Sequence, residues 1–364
     1  MKVLVAGNLV NHGYFHVKSL RKMGLDIELL IKKNSRQEDD PKCFDLELQE
    51  YPSWIKFWDQ SKSSWKLDIV RIMKKYDVIH ASTELPIFAL FSGKPFIAIP
   101  TGSDILELVY QKNLKGILLK IAYHRAKIVV FPATHMIESI KKIKIKNSIF
   151  IPWVWDFSKF SPKDKQKNDK FIIFHPTNHV WDYKKNDIFL KAFVKLAEKR
   201  DDIHLIITNR GPDFKKSLEI LNNPTCKGKF DVISKTLSQN ELPDMYSKAD
   251  IVVDQFGVGF TGLIGQEAMA CEKPLIQYAN FDLYKKFYSE VPPIVNAKTE
   301  EEILSQLEML IKNPDKVIEI GKKSREWIIK NHDPEKILKK YIYIYEAIYN
   351  KINIDIIKRK IMDL

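Results

Sequence analysis

Cysteine is scarce in this chain. Cys43, Cys226 and Cys271 are odd in number and share no close spacing, which excludes a disulfide framework or a zinc site and predicts a reducing compartment. No uncharged apolar run reaches the length of a membrane span. The opening Met1-Lys2-Val3-Leu4-Val5-Ala6-Gly7 lacks the apolar stretch of a signal peptide and reads as a buried first strand. No H-x-H, C-x-x-C or D-x-D pair suggests a metal, and no resident cofactor is expected. No helix-turn-helix, zinc-knuckle or aromatic RNA-binding signature is present, so nucleic acid is not an expected partner. These absences predict a cytoplasmic protein, soluble or peripheral on the inner face of the membrane.

Acidic residues are also in deficit: 46 Asp and Glu against 59 Lys and Arg leave a net charge of +13. A basic face binds an anionic membrane or nucleic acid, whereas a lysine-rich composition spread over the surface produces the same charge without a partner. With 364 residues, 45% hydrophobic and 29% charged, the chain is globular and long enough for two domains.

Strands and helices alternate twice. Residues 2–6, 26–31, 77–80, 95–100, 127–131 and 149–152 read as short apolar strands of the doubly buried, parallel kind. Residues 7–13 read as a polar loop, 16–23 as a helix stopped by Gly24, and 106–126 as a basic helical stretch. The segment 161–170 has no apolar residue and reads as a linker. The alternation then restarts with strands at 171–174, 204–208 and 230–234 and helices at 186–199 and 238–248. The expected fold class is α/β, with two Rossmann-like domains facing a central cleft. The boundaries are 1–162 for the first domain, 163–170 for the linker, 171–332 for the second domain and 333–364 for a C-terminal helical segment, one long helix or a kinked pair. Loops 7–13, 80–86, 100–104, 175–185 and 254–262 should converge on that cleft.

Residues 249–276 are the most informative. The β-branched run Ile251-Val252-Val253 ends in Asp254, a loop with Gly257, Gly259, Thr261 and Gly262 follows, and a helix-like segment then carries Glu267. A strand, a Gly-rich turn and a helix N-terminus present unpaired N–H groups and a helix dipole to an anion. Glu267 is placed for a neighbouring hydroxyl, the arrangement that holds a nucleotide; alternatively it is a solvated helix residue and the glycines only turn the chain.

The run Gly259-Phe260-Thr261-Gly262-Leu263-Ile264-Gly265-Gln266-Glu267-Ala268-Met269-Ala270 resembles the E-G-F-G-L-x-x-x-E-A-M-A donor motif of group 1 (family 4) retaining glycosyltransferases. Gly13-Tyr14-Phe15-His16-Val17, Asp77-Val78-Ile79-His80-Ala81, Thr101-Gly102-Ser103-Asp104 and Ile151-Pro152-Trp153-Val154-Trp155-Asp156 are similar to that family's first-domain landmarks. His175-Pro176-Thr177-Asn178 with Tyr183-Lys184-Lys185-Asn186-Asp187 resembles its H-x-P-S-N-R…K-G-T-D stretch. The resemblance implies the GT-B architecture, with the C-terminal helix crossing back to the first domain. It implies Glu267 on the nucleotide ribose, and Lys184 with the Thr261, Gly262 and Leu263 backbone on the diphosphate. Gly259 stands where the motif has its first glutamate, the residue that touches the transferred sugar. His179 is the nearest candidate for the motif's missing arginine, and Ile233 is placed on the donor side.

The remaining candidates lie in the first domain. His80 ends a strand, facing the cleft or serving the core. Thr101 stands where the family has a sugar-contacting histidine, and Asp104 either contacts acceptor or caps a helix. His12, Asn11 and Gly13 occupy the first loop, near where the resembled family positions acceptor and phosphate. His332-Asp333-Pro334 reads as a helix start, with aspartate as cap and proline in the first turn. Along 110–125, Leu114, Ile117, Leu118 and Ile121 form an apolar stripe beside Lys112, Lys115 and Lys120, with Lys141, Lys142, Lys144 and Lys146 adding charge. The stripe either meets anionic lipid or packs on the domain's own sheet.

The expected function is a retaining hexosyltransferase-type glycosyltransferase, moving sugar from a nucleotide-sugar donor to a glycan or lipid-linked acceptor without a metal. The alternatives are an epimerase or hydrolase on the same fold, or a non-catalytic nucleotide-sugar-binding partner.

Overall fold

The computed structural model describes residues 1–45, 47–163, 168–235 and 237–364, which divide into two units, Met1–Asp156 with His332–Leu364 and Phe157–Asn331. The chain passes between them ahead of the expected boundary at 162, because Phe160 is already fully buried in a cluster with Phe174 and Tyr246 of the second unit. Of the expected linker, residues 164–167 lie outside the described ones.

The first unit is built on seven parallel strands: Val3–Ala6 (β1), Ile27–Lys32 (β2), Ile55–Trp58 (β3), Val78–Ser82 (β4), Phe96–Ile99 (β5), Ile128–Phe131 (β6) and Ser148–Phe150 (β7). Their order is β3-β2-β1-β4-β5-β6-β7. The central strands β1, β4, β5 and β6 are buried along their whole length, as their continuous apolar runs require in a sheet covered on both faces. The first loop is shorter than its polarity suggests. A turn at Leu9–Asn11 leads directly into a helix at His12–Lys22, and the Asn8 side chain accepts the Tyr14 amide at 2.7 Å.

Two C-terminal helices, Pro334–Tyr349 and Ile354–Asp363, complete this unit. Asp333 caps the first by accepting from the Glu335 and Lys336 amides at 2.9 and 3.3 Å, with Pro334 in its first turn. Ile337, Tyr341, Ile344, Tyr345 and Ile348 recur at helical spacing and enter the same core as Val3, Val5 and Ile97. Tyr345 Oη lies 2.7 Å from both His16 Nε2 and His80 Nδ1, so one hydroxyl donates to one ring and accepts from the other.

The second unit holds six parallel strands: Phe171–His175 (β8), Ile203–Thr208 (β9), Phe230–Ile233 (β10), Ile251–Val253 (β11), Leu275–Gln277 (β12) and Val295–Asn296 (β13). Their order is β10-β9-β8-β11-β12-β13. The chain lays strands outward from β8 in one direction and returns at β11 to build the other side. The carboxyl ends of β8 and β11 therefore flank the topological switch point, where open α/β sheets leave a crevice.

Removal of the Tyr345 hydroxyl leaves two buried imidazoles short of a partner. Tyr345→Phe should lower the unfolding free energy of the chain by about 1–3 kcal/mol, read from urea denaturation. An unchanged midpoint would show that the bridge contributes nothing.

Candidate active site

At the switch point the end of β8 is locked by hydrogen bonds. His175 is fully buried, with Nδ1 2.8 Å from the Val253 carbonyl and Nε2 3.0 Å from Asn186 Nδ2. The amide nitrogen is a donor, so Nε2 accepts and Nδ1–H donates to the carbonyl: the ring is neutral, and burial holds its pKa well below the usual histidine range. The chain runs on through Thr177 to a short turn, Trp181–Lys184. Lys185 takes a left-handed backbone, φ +56°, and points out to solvent, while its neighbour Lys184 turns inward. The Lys184 ammonium donates to Thr177 Oγ1 and stands 3.6 Å from Asp254 Oδ1, the residue that follows β11. Its side chain is 20% exposed, so Lys184 is not a solvated residue of the turn.

The loop 254–262 is clamped against that turn. Phe256 N donates to the Lys184 carbonyl at 2.9 Å, and a Cβ on Gly257 would lie 2.0 Å from the Tyr183 carbonyl oxygen, which only glycine avoids. Gly259 has φ +77°, and a Cβ there would meet Tyr278 at 2.9 Å. The loop delivers Gly262 to the start of the helix Leu263–Ala270. Among the described residues, the Gly262, Leu263 and Ile264 amides have no protein acceptor, so three N–H groups and the helix dipole remain available to an anion.

One turn further, Glu267 is 4% exposed and accepts a 3.0 Å hydrogen bond from Tyr246 Oη. It is not a solvated helix residue. Burial, with the Asp254 charge adding to it, pushes its pKa up to about 8 against the opposing Tyr246 bond, so the carboxyl is protonated at neutral pH.

Several expected donor residues have other work. The Thr261 amide donates to Tyr284 Oη at 2.7 Å and its hydroxyl takes bonds from Tyr284 and Gln277, so Thr261 fixes the loop and offers no free N–H to a diphosphate. His179 is buried with Nδ1 2.8 Å from Ser217 Oγ, and burial lowers its pKa to about 4. It is neutral and supplies no positive charge in place of an arginine. Ile233 ends β10 and packs beside the cluster that contains Tyr246 and Phe174.

In the first unit, His12, His80 and Thr101 line a small cavity with Gly7 and Trp153, at the carboxyl ends of β1, β4 and β5. Burial holds the pKa of both histidines at about 3, and His12 sets its ring edge-on to Trp153 with centroids 4.1 Å apart. His80 is the middle residue of β4, not its end. Asn11 is buried and bonds to the Glu38 and Asp40 carbonyls, which makes it a loop anchor. Gly13 falls inside the first helical turn, where a Cβ would stand 2.1 Å from the Gly7 carbonyl, so its size serves packing and not phosphate. Asp104 accepts from the Thr101, Gly102 and Ile105 amides at 2.8–3.0 Å and from Tyr123 Oη at 3.0 Å. Its carboxylate is committed to the loop backbone and to Tyr123, from inside the short helix Ser103–Leu106, whose cap position is Gly102.

Thr177, Tyr246 and Asp254 belong to the site but do not stand out as site residues in the sequence. Asp254 carries a local signal, an acid closing a β-branched strand; the other two are brought in by tertiary packing. Among the described residues no group of three or more His, Cys, Asp or Glu is placed to hold a metal ion.

Residues 156–331 match the family model described as glycosyl transferases group 1. The uncharacterized glycosyltransferase YqgM of Bacillus subtilis (strain 168) is 20% identical over 290 residues, 76% of this chain and 79% of that protein. Among solved structures, HepE of Anabaena in complex with UDP and glucose superposes with a TM-score of 0.75 at 14% identity, covering 95% of this chain and 100% of that one. Sucrose-phosphate synthase from Thermosynechococcus elongatus gives 0.74 at 13% identity, covering 96% and 100%. The chain has the fold of these GT-B neighbours, two parallel-sheet Rossmann-like α/β domains, and the group 1 match coincides with the second unit.

Proposed function

We propose that this protein is a retaining, hexosyltransferase-type glycosyltransferase that takes sugar from a nucleotide donor to a glycan or lipid-linked acceptor. The observation that carries the reading is the meeting, at the ends of β8 and β11, of an inward lysine, free helix-start amides and a buried carboxyl. Glu267 takes the ribose hydroxyls, and Lys184 with the Gly262 and Leu263 amides takes the diphosphate. As the bond from sugar to phosphate breaks, negative charge gathers on the leaving oxygen, and a fixed ammonium and helix dipole stabilise it without reorganising. They supply the positive charge that a metal provides elsewhere, so the reaction needs none.

Two features support retention on one face of the sugar. His175 has both ring nitrogens engaged, burial lowers the pKa of His179 to about 4, which makes it a weak base near neutral pH, and position 259 carries no nucleophilic side chain. The leaving phosphate then accepts the acceptor proton, and the protein contributes positioning. The cavity at His12, His80 and Thr101 is the proposed acceptor side. The side-chain-free Gly259 also favours a second reading, a non-catalytic nucleotide-sugar binder, which a turnover assay separates from the first.

We also place the protein on an anionic membrane surface, peripheral at its cytoplasmic face. On the helix Leu114–Arg125, Leu119, Ala122 and Tyr123 face inward, while Leu114, Ile117 and Ile121 are 72%, 51% and 42% exposed. Three of the four stripe residues therefore face solvent, and Leu118 is half-buried. Lys112 and Lys120 are exposed around it, Lys115 is paired with Glu84, and Lys142 stands over the Tyr110 ring. Apolar side chains ringed by lysines match anionic lipid, each lysine adding about 1 kcal/mol near the surface.

Three outcomes are expected. Ribose hydroxyls donate to an ionised Glu267, so below about pH 8 binding must expel a proton. Donor affinity should rise with pH, by up to about tenfold per unit, and level above pH 8. Glu267→Gln should bind about 1.5–3 kcal/mol more weakly at pH 9 and show no such slope. A wild-type affinity flat from pH 6 to 9 by calorimetry would contradict the role.

Lys184→Ala should lower kcat by about 10²–10³-fold with a smaller rise in KM, because the charge it meets grows in the transition state. Lys185→Ala should stay near wild type. An effect confined to KM would make Lys184 a ground-state ligand only.

In vesicle co-sedimentation, binding should require anionic lipid, fade as salt rises to physiological strength and be lost in Ile117→Glu. Equal recovery in the supernatant with neutral and anionic vesicles at low salt would leave a soluble acceptor as the better reading.

A further inference from the structure

One buried group has no part in holding a nucleotide as described above. Asp254 is 1% exposed, and neither carboxylate oxygen receives a hydrogen bond from a protein donor. Lys184, 3.6 Å away, is past hydrogen-bond length and donates to Thr177 instead. Burying a carboxylate without donors is unfavourable, and proteins keep such a group where a ligand completes it.

The chemistry of that ligand follows from the carboxylate itself. Both of its oxygens lack a donor, so its partner must donate. Phosphate oxygens are acceptors and carry like charge, which excludes the diphosphate. Sugar hydroxyls donate. The location fits the transferred sugar: Asp254 Oδ2 lies 4.0 Å from where a Cβ on Gly262 would stand, beside the amides assigned to the diphosphate. Gly259 cannot supply a competing side chain, since φ +77° and the Tyr278 ring at 2.9 Å close that position.

We propose that Asp254 is the sugar-reading residue of the donor site, accepting hydrogen bonds from hydroxyls of the transferred sugar; this rests on the donor role given to the site above. Lys184 is shared between two partners. Without ligand it stands against Asp254; with a nucleotide sugar it turns to the diphosphate, and the sugar hydroxyls replace it beside the carboxylate. A bare nucleoside diphosphate draws Lys184 away and leaves Asp254 with nothing in exchange. The site therefore binds the sugar-bearing nucleotide in preference to the spent one, which favours product release.

The test is calorimetry on the full chain with three pairs of probes: UDP and UDP-glucose, GDP and GDP-mannose, ADP and ADP-glucose. For the pair that binds, wild type should hold the sugar form more tightly. Asp254→Asn should lose at least tenfold on the sugar form and keep or gain affinity for the bare diphosphate. Equal loss on both would make Asp254 a positioning residue for Lys184, and no change would remove it from the site; either overturns the proposal. If no pair binds wild type, the donor role of the whole site falls, whereas a wild-type preference left intact in Asp254→Asn sinks this proposal alone. Should Asp254→Asn fail to fold by circular dichroism, Asp254→Ser replaces it. Wild type is also titrated with the 2-, 3-, 4- and 6-deoxy forms of the bound sugar nucleotide. At least one should bind tenfold more weakly, and none doing so contradicts a hydroxyl contact.

Discussion

The approach of Lys184 to Asp254 is the contact on which the second unit's site depends. It spans the ends of two strands far apart in sequence, and it requires those strands to be neighbours, the turn at 181–184 to fold inward and the loop 254–262 to pass beneath it. Each condition has its own device. The His175 ring ties β8 to the Val253 carbonyl. The left-handed Lys185 reverses the chain so that Asn186 returns to brace the same ring. Gly257 leaves room for the Tyr183 carbonyl. A change that loosens any of these moves the Lys184 ammonium relative to the helix start, and charge stabilisation at a leaving group falls steeply with misplacement.

The two units place their titratable groups to different ends. In the second, a cation, free amides and a protonatable carboxyl lie within one loop system, where their charges act on one another. In the first, His12, His16 and His80 are held neutral by burial, two of them on a single tyrosine hydroxyl from the C-terminal helix. Neutral imidazoles held in this way brace the buried side of the first sheet without fixed charge. The net charge of the chain is displayed elsewhere, on exposed lysines such as those flanking Leu114, Ile117 and Ile121.

What could be read from the sequence follows the distance over which each signal is written. The strand, Gly-rich turn and helix of 249–276 are contiguous, so the free amides and Glu267 were legible, as was the parallel α/β class from its short apolar runs. Lys184 was legible as a position, but only the backbone shows that it turns inward while Lys185 turns out. The edge strands β3 and β13 escaped notice because Ile55–Trp58 is only partly buried and Val295–Asn296 is two residues long. Small residues near strand ends carry a double signal. Asp104 and Thr261 satisfy backbone groups of their own turns, and Gly13 leaves room for the Gly7 carbonyl at the start of its helix. At His179, burial removes the charge that a substitute for arginine needs. Asp254 was visible as a residue and silent as a site, because its orphaned oxygens exist only once Lys184 and Gly262 are folded beside it.

The central claim is that a donor diphosphate sits at the ends of β8 and β11. A crystal structure with a bound nucleoside diphosphate tests it most directly. Phosphate oxygens should lie within hydrogen-bond distance of the Gly262 and Leu263 amides and of Lys184 Nζ, with the ribose against Glu267. Phosphate bound on other residues, with Lys184 still held by Thr177 and Asp254, would contradict the account.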